Sequence, residues 1–312
     1  MPLTKDERIL ALSEEILKTF EGLFGPHPGY RPVHAKGTLL TGTFTPGSEA
    51  AGLTRAQHAT QASTPVTVRL SDTTGIPTIP DNDPNASPRG YAIRFNLAEH
   101  VHTDIVAHSA NAFPVTDGYE FLEFVRGVTQ PDPAKVKEFI GTHPKALAFV
   151  QSIGPLPASF ARESYYALTA MKFTNKDGVN KFGRYTISPV AGEEFLDAAA
   201  AAAKGPNYLF DELGDRLAKG PIEYKITVQV ANDGDVVNDA TVKWPSDRKV
   251  VELGKVSLTA PVANDAAEQQ QIIFDPIPRL DGIAPSDDPL LELRAAIYLI
   301  SGRRRRAAPP TS

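Results

Sequence analysis

Arg294 and Tyr298 stand four residues apart in Leu293-Arg294-Ala295-Ala296-Ile297-Tyr298-Leu299, just ahead of the run Arg303 to Arg306. On a helix that spacing sets both side chains on one face, one turn apart, with a guanidinium beside a phenol oxygen. Free tyrosine loses its proton only near pH ~10, so a phenolate at neutral pH requires cations in contact, which an arginine and a metal would together supply. Ferric haem iron is one metal that takes tyrosinate as an axial ligand. These residues alone leave a plainer alternative open, a packed helical tyrosine near a solvated arginine.

Two stretches nearer the N-terminus add to the inventory. In Val66 to Ser71 the apolar Val66, Val68 and Leu70 share one strand face, and Thr67, Arg69 and Ser71 share the other. If that second face lines a cavity, Arg69 is an anion clamp with a hydroxyl beside it; if it meets solvent, it is unremarkable. Arg31-Pro32-Val33-His34-Ala35-Lys36-Gly37 sets an arginine and a histidine three apart before the first strand. A lone histidine is more often structural than catalytic.

The elements that would position these groups follow from periodicity. Ile9, Leu10, Leu12, Ile16, Leu17, Phe20 and Phe24 recur at helical spacing behind Thr4 and Glu7, a capping-box pair, and predict an amphipathic helix within residues 1–25. Strands are expected at 38–44, 66–71, 91–97, 104–107, 167–173, 183–190 and 223–231. In the last of these Tyr224, Ile226, Val228 and Val230 alternate with polar residues. Helices are expected at 118–126, at 133–151 behind Asp132 and Pro133, at 192–203 and at 207–219. Residues 232–289, rich in Asp, Asn and Pro, read as a wrapping segment with only short strand pieces, ahead of a helix over 290–306. No repeat or second domain is visible. The fold class is therefore α+β in one domain over 1–312, with a closed antiparallel barrel the best use of so many strands.

Composition narrows the chemistry. The 312 residues carry a formal charge of −5 and no cysteine, which excludes disulfides, thiolate ligands and a cysteine nucleophile. No apolar run approaches ~18 residues, and the N-terminus has no leader pattern, so a cytoplasmic protein with no membrane partner is expected. The four arginines at 303–306 would make only a weak, salt-sensitive phosphate site, and no nucleic-acid partner is expected.

Taken together these stretches resemble the haem catalases, and most closely their shortened relatives, the catalase-related peroxidases. The resemblance runs in order through Arg31 to Gly37, Val68-Arg69-Leu70-Ser71, Pro88-Arg89-Gly90-Tyr91-Ala92, Phe274-Asp275-Pro276, Gly282-Ile283 with Pro285-Ser286, and Arg294 to Tyr298. It covers about residues 30–306 and implies an eight-stranded antiparallel barrel with surrounding helices. It implies haem b as cofactor, with Tyr298 the phenolate ligand to iron and Arg294 its hydrogen-bond partner. His34 would be the distal acid-base residue, with Ser71 orienting its ring. Arg31, Arg69 and Arg305, the last by counting from Tyr298, would bind the propionates. Phe121 would stack over the distal face, with Phe113 near the pocket. Guanidinium suits the propionate role because it offers a fixed fork and stays charged.

Two departures from the full catalases shape the expected activity. His108 stands where they place a distal asparagine, and the chain lacks their long N-terminal arm and C-terminal helical domain. The resemblance therefore implies a peroxidase that reduces hydrogen peroxide or organic hydroperoxides and oxidises small organic donors, with weak catalase turnover. His108 is counted with His34 and Ser71 as a candidate catalytic residue, and a monomer or homodimer is expected rather than an interlocked tetramer. The alternatives are a true catalase, a non-catalytic haem-binding protein, or a hydroperoxide-rearranging enzyme on the same fold.

Overall fold

A computed structural model of the chain describes residues 2–311. Nine strands form one antiparallel sheet: β1 (Gly37–Pro46), β2 (Thr64–Ser71), β3 (Gly90–Ala98), β4 (Val101–His108), β5 (Tyr165–Thr174), β6 (Asn180–Pro189), β7 (Ile222–Val230), β8 (Val250–Pro261) and β9 (Ile283–Pro285). Their order is β4-β3-β2-β1-β8-β7-β6-β5-β9, and a further pairing of β4 with β5 closes the first eight into a barrel. That closure is a single register pair, His108 with Tyr166. Closure removes the exposed edges that an open sheet of this size would present.

Alternation fills the barrel. Along β7 the side chains of Ile222, Tyr224, Ile226, Val228 and Val230 are buried, each separated from the next by a less buried neighbour. Facing residues from β2, β3 and β5 complete the core, among them Val68, Ile93, Tyr91 and Tyr165. Tyr91 sits 5.1 Å, ring centroid to centroid, from both Tyr165 and Tyr224.

Among the described residues ten α-helices surround the sheet: α1 (Glu7–Phe24), α2 (Ala50–Leu53), α3 (Gln57–Thr60), α4 (Gly118–Val128), α5 (Pro133–Thr142), α6 (Pro144–Ser152), α7 (Ala198–Ala202), α8 (Tyr208–Lys219), α9 (Asp265–Gln271) and α10 (Pro289–Ala307). α10 is capped by Asp288, whose carboxylate accepts from the N–H of Leu290, with proline in its first turn. α1 packs along it outside the barrel. Leu12, Ile16 and Phe20 meet Leu293 and Ile297, and Arg304 is paired with Glu14 and Glu21.

Four expectations are corrected. The segment 232–289 contains a full barrel strand, β8, whose alternation breaks at Gly254 and is hard to read for that reason. A Cβ there would meet the Thr45 carbonyl at 2.3 Å, and both neighbouring ladders shift register at or near this strand. The helix expected over 133–151 divides at His143-Pro144, because proline cannot continue the hydrogen-bond ladder. Of 192–203 only 198–202 is helical. The α1 cap is Asp6, which accepts from the N–H groups of Arg8 and Ile9, while Thr4 donates across to Glu292 at 2.5 Å.

Candidate active site

The distal candidates gather on one row of the barrel rim. Register pairs run Gly37 to Ser71, Ser71 to Gly90, Gly90 to His108 and His108 to Tyr166, across five strands. Directly paired residues present their side chains to the same face, and neighbouring strands lie ~4.8 Å apart. Ser71 and His108 therefore flank Gly90, which presents no side chain, and the ring of His34 fills the gap. A Cβ on Gly90 would lie 2.8 Å from His34 Nδ1 and 2.5 Å from Ser71 Oγ. His34 enters from the loop before β1 with φ at 60°, a left-handed conformation that costs a non-glycine residue of order 1 kcal/mol.

His34 Nδ1 lies 3.2 Å from Ser71 Oγ. Burial, with the positive charge of Arg69 and the neighbouring His108, holds the His34 pKa down to about 3, so the ring is neutral at neutral pH. His108 stacks on Phe113 with centroids 6.0 Å apart and meets Phe149 of α6 edge-on at 6.3 Å. Its Nδ1 is buried without a partner among the described residues. Burial, then the charge of Arg294, holds His108 at about 4, against the value near 6.5 of a free histidine.

Three arginines converge beside this row. Arg31 donates to the carbonyls of Gln269 and Ile272 at 3.2 and 3.1 Å. Arg69 donates to Gln269 Oε1 at 2.9 Å and to the Ala35 carbonyl at 3.2 Å. Arg305 reaches the carbonyls of Gln270 and Ile272 at 3.1 and 2.6 Å. Every one of those acceptors is neutral. Burial and the repulsion of the other two arginines drive Arg31 well below its ordinary pKa, and burial with Arg305 pulls Arg69 down to about 9. Two carboxyl groups act on Arg69 from nearby: Asp265, itself engaged by Thr38, Leu39 and Gln269, and Asp72, which faces Arg89. Cations crowded this closely without full compensation make an anion site. The α9 residue Gln269, which ties two of the arginines together, carried no sequence signal.

Tyr298 is half-buried on α10, with Ile297 packed in the same cluster as Val33 and Phe121. Phe121 meets Phe20 edge-on, centroids 6.2 Å apart. Arg294 departs from expectation. Its guanidinium carbon lies 5.8 Å from the Tyr298 ring centroid, and no hydrogen bond joins it to the phenol among the described residues. The His108 ring and the Asp288 carboxyl both feel its charge. Arg294 also lines a small cavity with His58 and Asp104. Of the terminal arginine run, only Arg305 joins the site. Arg304 is paired on α1 and Arg306 donates to the Gln271 carbonyl at 2.7 Å.

No group of three or more acidic or histidine side chains that could hold a bare metal ion occurs among the described residues, and no helix there is long and apolar enough to cross a membrane.

Residues 28–309 match the family model described as catalase. The chain is 33% identical over 297 residues to a catalase-related peroxidase of Mycolicibacterium paratuberculosis, covering 94% of both chains. It is 32% identical over 301 residues to a catalase-related peroxidase of Synechococcus elongatus, covering 94% of this chain and 88% of that one. Catalase A from Saccharomyces cerevisiae shares the fold with a TM-score of 0.79 at 20% identity, and a fungal catalase with 0.78 at 21%. Each structure match takes in 97% of this chain, which spans 65% and 63% of those longer ones. On the family match and the two relatives above 30% identity, the chain belongs to the catalase family.

Proposed function

We propose that this chain is a haem peroxidase that reduces hydrogen peroxide, or small organic hydroperoxides, and oxidises small organic donors, with oxygen-releasing turnover a minor route. Membership of the family makes it an oxidoreductase acting on peroxide. The residues fit a haem, haem b in this reading. Arg31, Arg69 and Arg305 concentrate positive charge where two propionates would bring compensation, and half-buried Tyr298 offers an oxygen donor on α10. Haem, when bound, supplies the electron transfer, and the protein supplies ligand, orientation and electrostatics.

His34 carries the proton. A neutral imidazole held at about 3 accepts a proton from one oxygen of the peroxide and returns it to the oxygen that leaves as water. Ser71 Oγ, 3.2 Å from Nδ1, fixes the ring so that the other nitrogen faces the substrate. Tyr298 would hold the iron through its phenol oxygen.

The observation that supports donor oxidation over oxygen release is the second histidine of the distal row. In the full catalases the resemblance places an asparagine at position 108, whose amide would donate to bound peroxide at any working pH. His108 puts there a larger ring, braced by Phe113 and Phe149 and neutral at neutral pH. A second peroxide is then held less well at this position, which favours an organic donor as the reductant. The test is the ratio of oxygen evolved to dye oxidised by haem-loaded protein, in the parent and in His108→Asn. The parent is expected to oxidise dye in preference, and the variant to move several-fold toward oxygen. A parent that releases oxygen as fast as it consumes peroxide, with no dye oxidised, contradicts the peroxidase reading.

A further inference from the structure

Behind the distal row lies a quartet of buried charge that neither peroxide nor haem needs to touch. Asp72, Asp81 and Arg89 are fully buried. Arg89 Nε stands 3.2 Å from Asp72 Oδ1, and Lys36 Nζ stands 2.5 Å from Asp81 Oδ1 and 4.0 Å from Asp72 Oδ2. Arg89 Nη2 donates to the Asp81 carbonyl, and Asp81 Oδ2 accepts from the Leu209 N–H at 2.7 Å.

Three of the four members adjoin the distal row in sequence. Lys36 is two residues after His34, Asp72 follows Ser71, and Arg89 precedes Gly90. The Arg89 N–H donates to Ser109 Oγ at 2.9 Å, beside His108. Asp72 comes nearest to the chemistry. Its N–H donates to the Lys36 carbonyl at 3.1 Å, and the residue before it, Ser71, sets Oγ 3.2 Å from His34 Nδ1. Residues 71–72 thus hold the histidine loop at two points, while the Asp72 side chain faces Arg89. Burial pushes the Asp72 carboxyl above its ordinary range, with Arg89 opposing the shift and Asp81 adding to it. Buried ion pairs give little net stability beyond what apolar residues of the same shape would give, so stability alone does not account for a charged quartet in this place.

We propose that Asp72 is a positioning residue for proton transfer by His34: its side chain, set against Arg89, fixes the Ser71-Asp72 segment that holds the His34 loop and keeps the imidazole in place over Gly90. The proposal rests on the reading of His34 as the proton carrier.

Cyanide association with the haem-loaded protein reads that proton transfer without turnover, because hydrogen cyanide gives its proton to the distal base as it binds. Asp72→Asn is expected to slow association by about tenfold to a hundredfold, the order lost when a reacting group is displaced by ~1 Å, with haem content and ferric spectrum unchanged. That variant leaves Arg89 without its partner, so Asp72→Asn combined with Arg89→Gln is measured beside it. Both are repeated in a His34→Ala background, where they are expected to add nothing, since an effect that acts through His34 vanishes with it. A parental cyanide rate in the folded double variant overturns the proposal, as does equal slowing with and without His34. If His34→Ala itself binds cyanide at the parental rate, the reading of His34 falls and this proposal with it. Slowing by His34→Ala but not by the Asp72 variants overturns the proposal alone.

Discussion

Helix α10 carries Arg294, Tyr298 and Arg305 on one continuous 19-residue element, whereas His34, Ser71 and His108 arrive from three separate segments and meet only because β2, β3 and β4 pair in one register. The first arrangement is fixed by helical spacing, and substitutions in it act mainly on what it holds. The second is fixed by the sheet, with a glycine in the middle of the row, and substitutions in it act on what it does. Binding and rate should therefore separate cleanly between the two faces.

The sharpest separation comes from His34→Ala, which is expected to keep its haem and to lose about 10²- to 10⁴-fold in the rate of its reaction with peroxide, the usual worth of general acid-base help. Stopped-flow mixing checks it, and a near-parental rate would break the division between the faces. Gly90→Ala follows. Its methyl would sit 2.8 Å from His34 Nδ1, so the imidazole must move, and a loss of about tenfold to a hundredfold is expected at parental haem content.

Among the groups that hold rather than react, Arg69 on β2 acts with Arg305 of α10, and Arg69→Met is expected to weaken haem binding by about tenfold or more, since a charged hydrogen bond contributes about 1.5–3 kcal/mol. The rate per bound haem should stay within a few-fold of the parent, and a haem titration with rates normalised to occupancy checks both. The smallest effect is an absent one. The base form of His34 is the working form, and its pKa of about 3 lies far below the 6.5 of a free histidine. The peroxide rate should therefore hold level from pH 8 to about 5, and a break near 6.5 would show an imidazole far less buried than His34 is here.

The two faces also differed in how far the sequence revealed them. Arg294, Tyr298 and Arg305 could be placed by counting along a helix, although the position of the Arg294 guanidinium, 5.8 Å from the Tyr298 ring centroid, could not, because spacing says which face a side chain shares and not where its tip goes. His34, Ser71 and His108 were found by resemblance of motif. Their convergence needed the register, which period-2 patterns leave open by any even shift. Seven of the eight barrel strands fell where alternation placed them. β8 escaped because the bulge at Gly254 breaks its period. The charged quartet behind the row was invisible for a different reason, since Lys36, Asp72, Asp81 and Arg89 look like solvated charges until long-range packing buries them.

The most direct measurement is a haem titration of the parent and of Tyr298→Phe, followed by absorption. The substitution keeps the ring and removes the only oxygen that α10 offers to iron from this position. The parent is expected to saturate at one haem per chain with the ferric spectrum of a phenolate-bound iron, and the variant to bind at least about tenfold more weakly with that spectrum lost. Full binding by Tyr298→Phe with an unchanged ferric spectrum would contradict a haem held by Tyr298.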